Sequence, residues 1–201
     1  MQIGLTGNYG SGKSTIARMF KELGALVVDA DDVVRDLLST PAVVEAVREA
    51  FGEDAVVDGE VNKKWLAGKV FSDVHSRIEL ENILHPLVFE VIGDIAARNT
   101  DDPESIMIVE AALVFERGHQ SRFDKIITVS VPEEMSRQRL MAKGIPEADI
   151  EMRFKSQFPI ETKVRGSDYV IDNSGGIEQT REQVRTVYQE LLSIGRKHGH
   201  N

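Results

Sequence analysis

The sequence predicts an α/β fold, a parallel sheet covered on both faces by helices, and three observations carry that prediction. Short apolar runs alternate with helical patterns through about the first forty residues. A glycine-rich turn joins the first of those runs to the first helix. After a long helical block, apolar runs of strand length return at 106–110, 126–131 and 169–171.

Each element follows from a local pattern. Residues 2–6 form a short apolar strand, and 14–23 a helix with Ile16, Met19, Phe20 and Leu23 on one face. Gly24 ends that helix, and 25–29 is a second strand, nearly all apolar, as a strand covered on both faces is. Residues 31–38 read as a helix with Asp31 at its cap. From 41 to 98 the pattern is helical throughout, with Leu80, Leu84, Leu87, Val88, Val91 and Ile95 at helical spacing and Pro86 starting or kinking a helix. The stretch 132–163 is helical with a break at Gly144-Ile145-Pro146, and a last amphipathic helix covers 177–196. The histidines of the tail 198–201 are too few to form a metal site.

Composition narrows the function. The chain contains no cysteine, which excludes a disulfide framework and thiol chemistry. No apolar run approaches the ~18 residues of a membrane-spanning helix, and no basic leader precedes the first strand, so a cytoplasmic protein is expected. The net charge of -9 argues against nucleic acid or an anionic membrane as the main partner. One stretch departs from that average: between Met135 and Arg165 seven Lys/Arg stand against four Asp/Glu. Such an island fits either a small, highly charged ligand or a solvated helical face.

Gly7-Asn8-Tyr9-Gly10-Ser11-Gly12-Lys13-Ser14 is a complete Walker A sequence, with a strand before it and a helix after it. The chemistry requires these residue types. Backbone N–H groups must converge on phosphate oxygens, which demands conformations that Gly10 and Gly12 adopt cheaply, and the helix directs its N-terminal dipole at the same phosphates. Lys13 reaches the β- and γ-phosphates, and the Ser14 hydroxyl is a hard oxygen ligand for Mg²⁺. The guanine-reading Asn-Lys-x-Asp stretch has no counterpart, since Asn62-Lys63-Lys64-Trp65 lacks the aspartate. A short chain with a helical insertion and a basic island therefore reads as an ATP-dependent small-molecule kinase. A kinase of a nucleoside or nucleotide, and a nucleotide-binding switch without transfer activity, remain as rivals.

Four stretches resemble one family, the dephospho-coenzyme A kinases: Gly4-Leu5-Thr6-Gly7 leading into the loop, Asp29-Ala30-Asp31 with Arg35, Leu84-His85-Pro86, and Tyr169-Val170-Ile171-Asp172-Asn173-Ser174-Gly175. The resemblance implies phosphorylation of the ribose 3′-hydroxyl of dephospho-coenzyme A, with ATP as co-substrate and Mg²⁺ as cofactor. It implies a three-layer P-loop NTPase core with a five-stranded parallel sheet (1–40, 99–134 and 165–201), a helical substrate-binding insertion (41–98) and a helical lid (135–164). Gly10, Ser11, Gly12, Lys13, Ser14, Thr15, Asn173 and Gly175 are then the nucleotide-binding candidates. Thr6, Asp31, Arg35, Glu110 and His85 are the substrate-binding ones, His85 without a catalytic part. Lys13, Asp31 and Arg139 are the catalytic candidates, Asp31 as base and Arg139 as the guanidinium that meets the transferring phosphoryl group. Asp31 also fits a carboxylate holding Mg²⁺ through water or a plain helix cap, with the resemblance favouring the base role, and Asn173-Ser174-Gly175 reads equally as an ordinary turn. Arg137, Arg153 and Lys163 are weaker candidates for the contact given to Arg139, each expected instead at the surface, and Gln157 matches a glutamine of the family's lid or is simply solvated. Three positions depart from the family pattern: Ala112 where a proline is usual, and Lys63 and Lys143 where arginines are. Lysine keeps the charge and loses the bidentate grip.

Overall fold

The computed structural model describes residues 1–99 and 105–198. The last residues of the tail, 199–201, lie outside that range, as do 100–104 beside the expected end of the insertion. The chain divides into two compact units, one of Met1–Asp29 with the chain from Asn99 onward, the other of Ala30–Arg98.

The first unit is built on a sheet of β1 (Gln2–Gly7), β2 (Leu26–Asp29), β5 (Met107–Glu110), β6 (Lys125–Ser130) and β7 (Tyr169–Asp172), in the order β2-β5-β1-β6-β7. Every pairing is parallel, with Leu5 beside Glu110, Gly7 beside Val129 and Ser130 beside Asp172. The strands are near-continuous apolar runs because helices cover both faces. Alternation assigns the faces. Ile3, Leu5, Ile108 and Ile127 pack with Ile16 and Phe20 of α1 (Lys13–Glu22) and with Val184 and Leu191 of α9 (Ile177–His198). Ile126 belongs to a separate, smaller cluster with Val114 and Phe115. Complete burial of side chains such as Phe20 and Leu191 stabilises the unit by roughly 1.5–3 kcal/mol each. Three helices follow β6: α6 (Glu133–Ala142), α7 (Glu147–Lys155) and α8 (Ile160–Arg165). The break at Gly144-Ile145-Pro146 lies where the sequence places it, but a second break, at Ser156–Pro159, escaped the sequence reading.

The second unit holds α2 (Ala30–Leu37), α3 (Pro41–Phe51), α4 (Lys63–Ser72) and α5 (Val74–Arg98) around its own core of Val43, Val44, Val47, Leu66 and Leu84. It is not helical throughout. A hairpin of β3 (Val56–Val57) and β4 (Glu60–Val61) interrupts it, turning at Asp58 and Gly59, both with positive φ (52° and 80°). Asp-Gly between valines is the strongest short hairpin signal a sequence carries, so the helical reading was corrected by information already in the chain. Pro86 does not start a helix: α5 runs through it. Burial of Leu84, Val88 and Ile92 on either side offsets the ~3 kcal/mol cost of an interior proline. α2 begins at Ala30, so Asp31 stands in its first turn rather than at its cap.

Candidate active site

A parallel sheet delivers all its strand C-termini to one edge, and in such folds ligands bind there. β1 ends at Gly7 in the middle of that edge, and the loop to α1 turns on Gly10 (φ 79°) and Gly12 (φ 93°, ψ 23°). Gly12 is required twice over. Its left-handed conformation strains any other residue, and a Cβ there would run into Asn173 Nδ2. The Lys13 ammonium lies over the loop, donating to Gly7 O (3.0 Å) and Asn8 O (3.4 Å). Ser14 Oγ donates to Glu110 Oε1 at 2.8 Å, bringing the end of β5 to the start of α1. Thr15 follows in the first turn, its N–H on Gly12 O at 3.1 Å.

Of the remaining candidates of the first unit, Asn173 meets this loop directly. Asn173, just past β7, donates Nδ2 to Ser11 O (2.7 Å) and accepts from Thr180 Oγ1 (3.0 Å), so its side chain braces the loop from behind. Its carbonyl accepts from the Arg139 guanidinium at 2.8 Å, which seats α6 against the same region. Gly175 lies in the following turn, beside Gln179. Thr6 is fully buried and donates to Ala112 O at 3.2 Å. In the second unit, Asp31 is exposed on α2 and His85 half-buried within α5. Arg35 bonds Asp32 at 2.7 Å.

The basic island is not one solvated face. Lys143, Lys155 and Arg165 are exposed, but Arg137 pairs with Glu133 (3.2 Å) and Glu151 (2.5 Å), joining α6 to α7. The Arg153 guanidinium sits 4.6 Å from the centre of the Tyr9 ring, a cation–π contact onto the phosphate-binding loop. Lys163, expected at the surface, is completely buried. Its ammonium donates to Glu116 Oε1 (2.8 Å) and Ala112 O (3.0 Å), and the Glu116 side chain is 4% exposed. Burial pushes the Lys163 ammonium below the ordinary lysine value, and the Glu116 carboxylate partly opposes that shift. An unpaired buried charge costs several kcal/mol, which is why the ammonium has two acceptors. Glu116 and the contacts of Tyr9 escaped the sequence reading because nothing near them in the chain reports what they touch.

A Walker A loop on the central strand of this sheet order is the architecture of the P-loop kinases. The comparisons narrow the class. A family model described as dephospho-CoA kinase matches residues 1–179, and the chain belongs to that family. It is 43% identical to the dephospho-CoA kinase of Aquifex aeolicus over 192 residues, 94% of this chain and 97% of that one. Among solved structures it is similar to TT1252 from Thermus thermophilus (TM-score 0.83, 31% identity, 95% and 97% of the two chains). It is also similar to the dephospho-CoA kinase from Campylobacter jejuni (TM-score 0.70, 26% identity, 96% and 97%).

Proposed function

We propose that this chain carries out the reaction for which its family is named, transferring the γ-phosphoryl group of ATP to the ribose 3′-hydroxyl of dephospho-coenzyme A and releasing coenzyme A and ADP. The observation that carries the reading is the meeting of Ser14 Oγ and Glu110 Oε1 at 2.8 Å beside a complete phosphate-binding loop. Two hard oxygen donors at that point fit Mg²⁺, which takes one or two protein oxygens and completes its shell with phosphate and water. Among the described residues no cluster of three or more His, Cys, Asp or Glu forms a metal cage. Ser14, with Glu110 behind it, is the pair we assign to that ion, which would neutralise charge on the β- and γ-phosphates when bound.

The residues divide the work. Backbone N–H groups of Gly10 to Thr15 receive the phosphates, Lys13 moves from the loop carbonyls to the β- and γ-oxygens, and Arg139 meets the charge that develops on the transferring group. Asn173 and Gly175 shape the nucleotide side. The resemblance to the family makes Thr6, Asp31, Arg35, Glu110 and His85 the candidates for acceptor binding, with Asp31 as the base that accepts the proton of the hydroxyl. Asp31 stands two residues along the chain from the end of β2. No helix among the described residues is long and apolar enough to cross a membrane.

The test is ADP release with dephospho-coenzyme A, run beside adenosine and AMP. Turnover is expected with dephospho-coenzyme A alone, and in Asp31→Asn it falls by about a hundredfold or more while ATP affinity and melting temperature stay put. Preference for adenosine or AMP would replace the acceptor assignment. Surviving turnover in Asp31→Asn would remove the base.

A further inference from the structure

α8 is six residues long, too short to hold itself, yet it buries an ammonium completely. The acceptors of that ammonium show what the burial achieves. Glu116 Oε1, which accepts from Lys163, also accepts from Phe158 N at 2.7 Å, so the pair clamps the connection between α7 and α8. That connection holds the front of the phosphate-binding loop. Gln157 Oε1 accepts from Tyr9 N at 2.8 Å, and Phe158 O accepts from Asn8 Nδ2 at 3.3 Å. The second acceptor of Lys163, Ala112 O, also accepts from Thr6 Oγ1 and lies two residues past Glu110, the partner of Ser14. One ammonium therefore braces both the loop and the carboxylate beside it.

A pair retained for stability alone is poorly designed. Apolar residues of the same volume usually serve a buried ion pair's place as well or better, and here Glu116 Oε2 is buried without a hydrogen-bond partner among the described residues. We propose that Lys163 and Glu116 are positioning residues for phosphoryl transfer. Through Gln157 and Phe158 they hold Asn8 and Tyr9 in the conformation in which the loop receives the phosphates of ATP. This rests on the reading of Gly7–Ser14 as the ATP loop, and wild-type ADP release tests that reading separately.

The decisive variant is the double replacement Lys163→Met with Glu116→Leu, which avoids leaving either charge buried alone. The KM for ATP is expected to rise about tenfold, the order of one hydrogen bond to a positioned group, with the melting temperature kept or raised. Gln157→Ala, which breaks the Tyr9 contact and leaves the pair intact, is expected to raise the same KM by a similar factor. Combined with the double replacement it adds little further, because both act through one path. A double variant with the wild-type KM for ATP overturns the proposal. So does a Gln157→Ala effect that multiplies with that of the double variant. Should the double variant fail to fold, Gln157→Ala decides alone, and a wild-type KM for ATP in it overturns the proposal.

Discussion

Lys13 opens α1 and its ammonium donates to the carbonyls of Gly7 and Asn8, which keeps it over the loop whose phosphates we propose it binds. Its stem is half-buried and lies outside the main core cluster of the sheet, which separates its proposed part in catalysis from any contribution to packing. Lys13→Ala is expected to keep the wild-type melting temperature and to lose turnover on the order of a thousandfold, the scale on which cationic groups act at transferring phosphates. Steady-state ADP release checks it, and near-wild-type turnover would dispose of the mechanism. Asn173 is a contrasting case. Its amide is engaged at both ends, by Ser11 O and Thr180 Oγ1, so its side chain already has a structural task in setting the loop that it flanks.

Among the elements, β6 and β7 are tied at their N-terminal ends by Lys125 and Asp168, 2.7 Å apart, with Asp168 also accepting from Ile126 N. Burial pushes the Asp168 carboxyl up, but the Lys125 side chain and the Ile126 N–H together hold it below the ordinary range. The hydrogen bond to Asp168 raises Lys125. The signs then fix the pH window. A depressed carboxyl stabilises in full above its unfolded pKa of about 3.9 and loses that contribution as pH falls through its folded value. A raised ammonium stabilises in full below about 10.4 and loses its contribution as pH rises through its folded value. Asp168→Asn should therefore lower the melting temperature most between about pH 5 and 9, with the deficit shrinking at both extremes. Each side chain of the pair is 35% exposed, so solvent screening keeps the effect small, on the order of 1 kcal/mol or less. Thermal melts across that range check it, and a deficit that grows in acid would show that another interaction is being lost.

For the molecule as a whole, the helices we propose as a lid need not behave alike. α7 and α8 each bury a single side chain, Ile150 and Lys163, but the Lys163 ammonium ties α8 to Glu116 and to Ala112 O, whereas Ile150 is held by packing alone. Segments with few buried contacts open at low free energy, and closing lids are drawn from them. Amide exchange in α7 is expected to be fast in the protein alone and to slow when a non-hydrolysable ATP analogue and dephospho-coenzyme A are added. The amides of α8 should be slow in both states. Equal exchange in the two helices, unchanged by ligands, would make the whole segment a rigid part of the core.

Local information set much of this protein. The Walker A loop, the apolar strands and the broken helical segment are each written in consecutive residues, because backbone conformation and face-to-face periodicity are local properties. Asp58-Gly59 was written there as well, under a helical pattern that hid it. What only the tertiary structure decided are meetings between distant residues. Ser11 joins Asn173 across 162 positions, Tyr9 joins Gln157 across 148, and Ser14 joins Glu110 across 96. Lys163 reads as a surface lysine in sequence because its helix offers no local acceptor for a buried ammonium. Glu116 arrives from the connection after β5, six residues past Glu110, at the edge to which the parallel crossovers bring every strand's C-terminus. A sequence states which residues can bear charge or bend, while the sheet order determines which of them face each other where the dielectric is low enough for the pairing to matter.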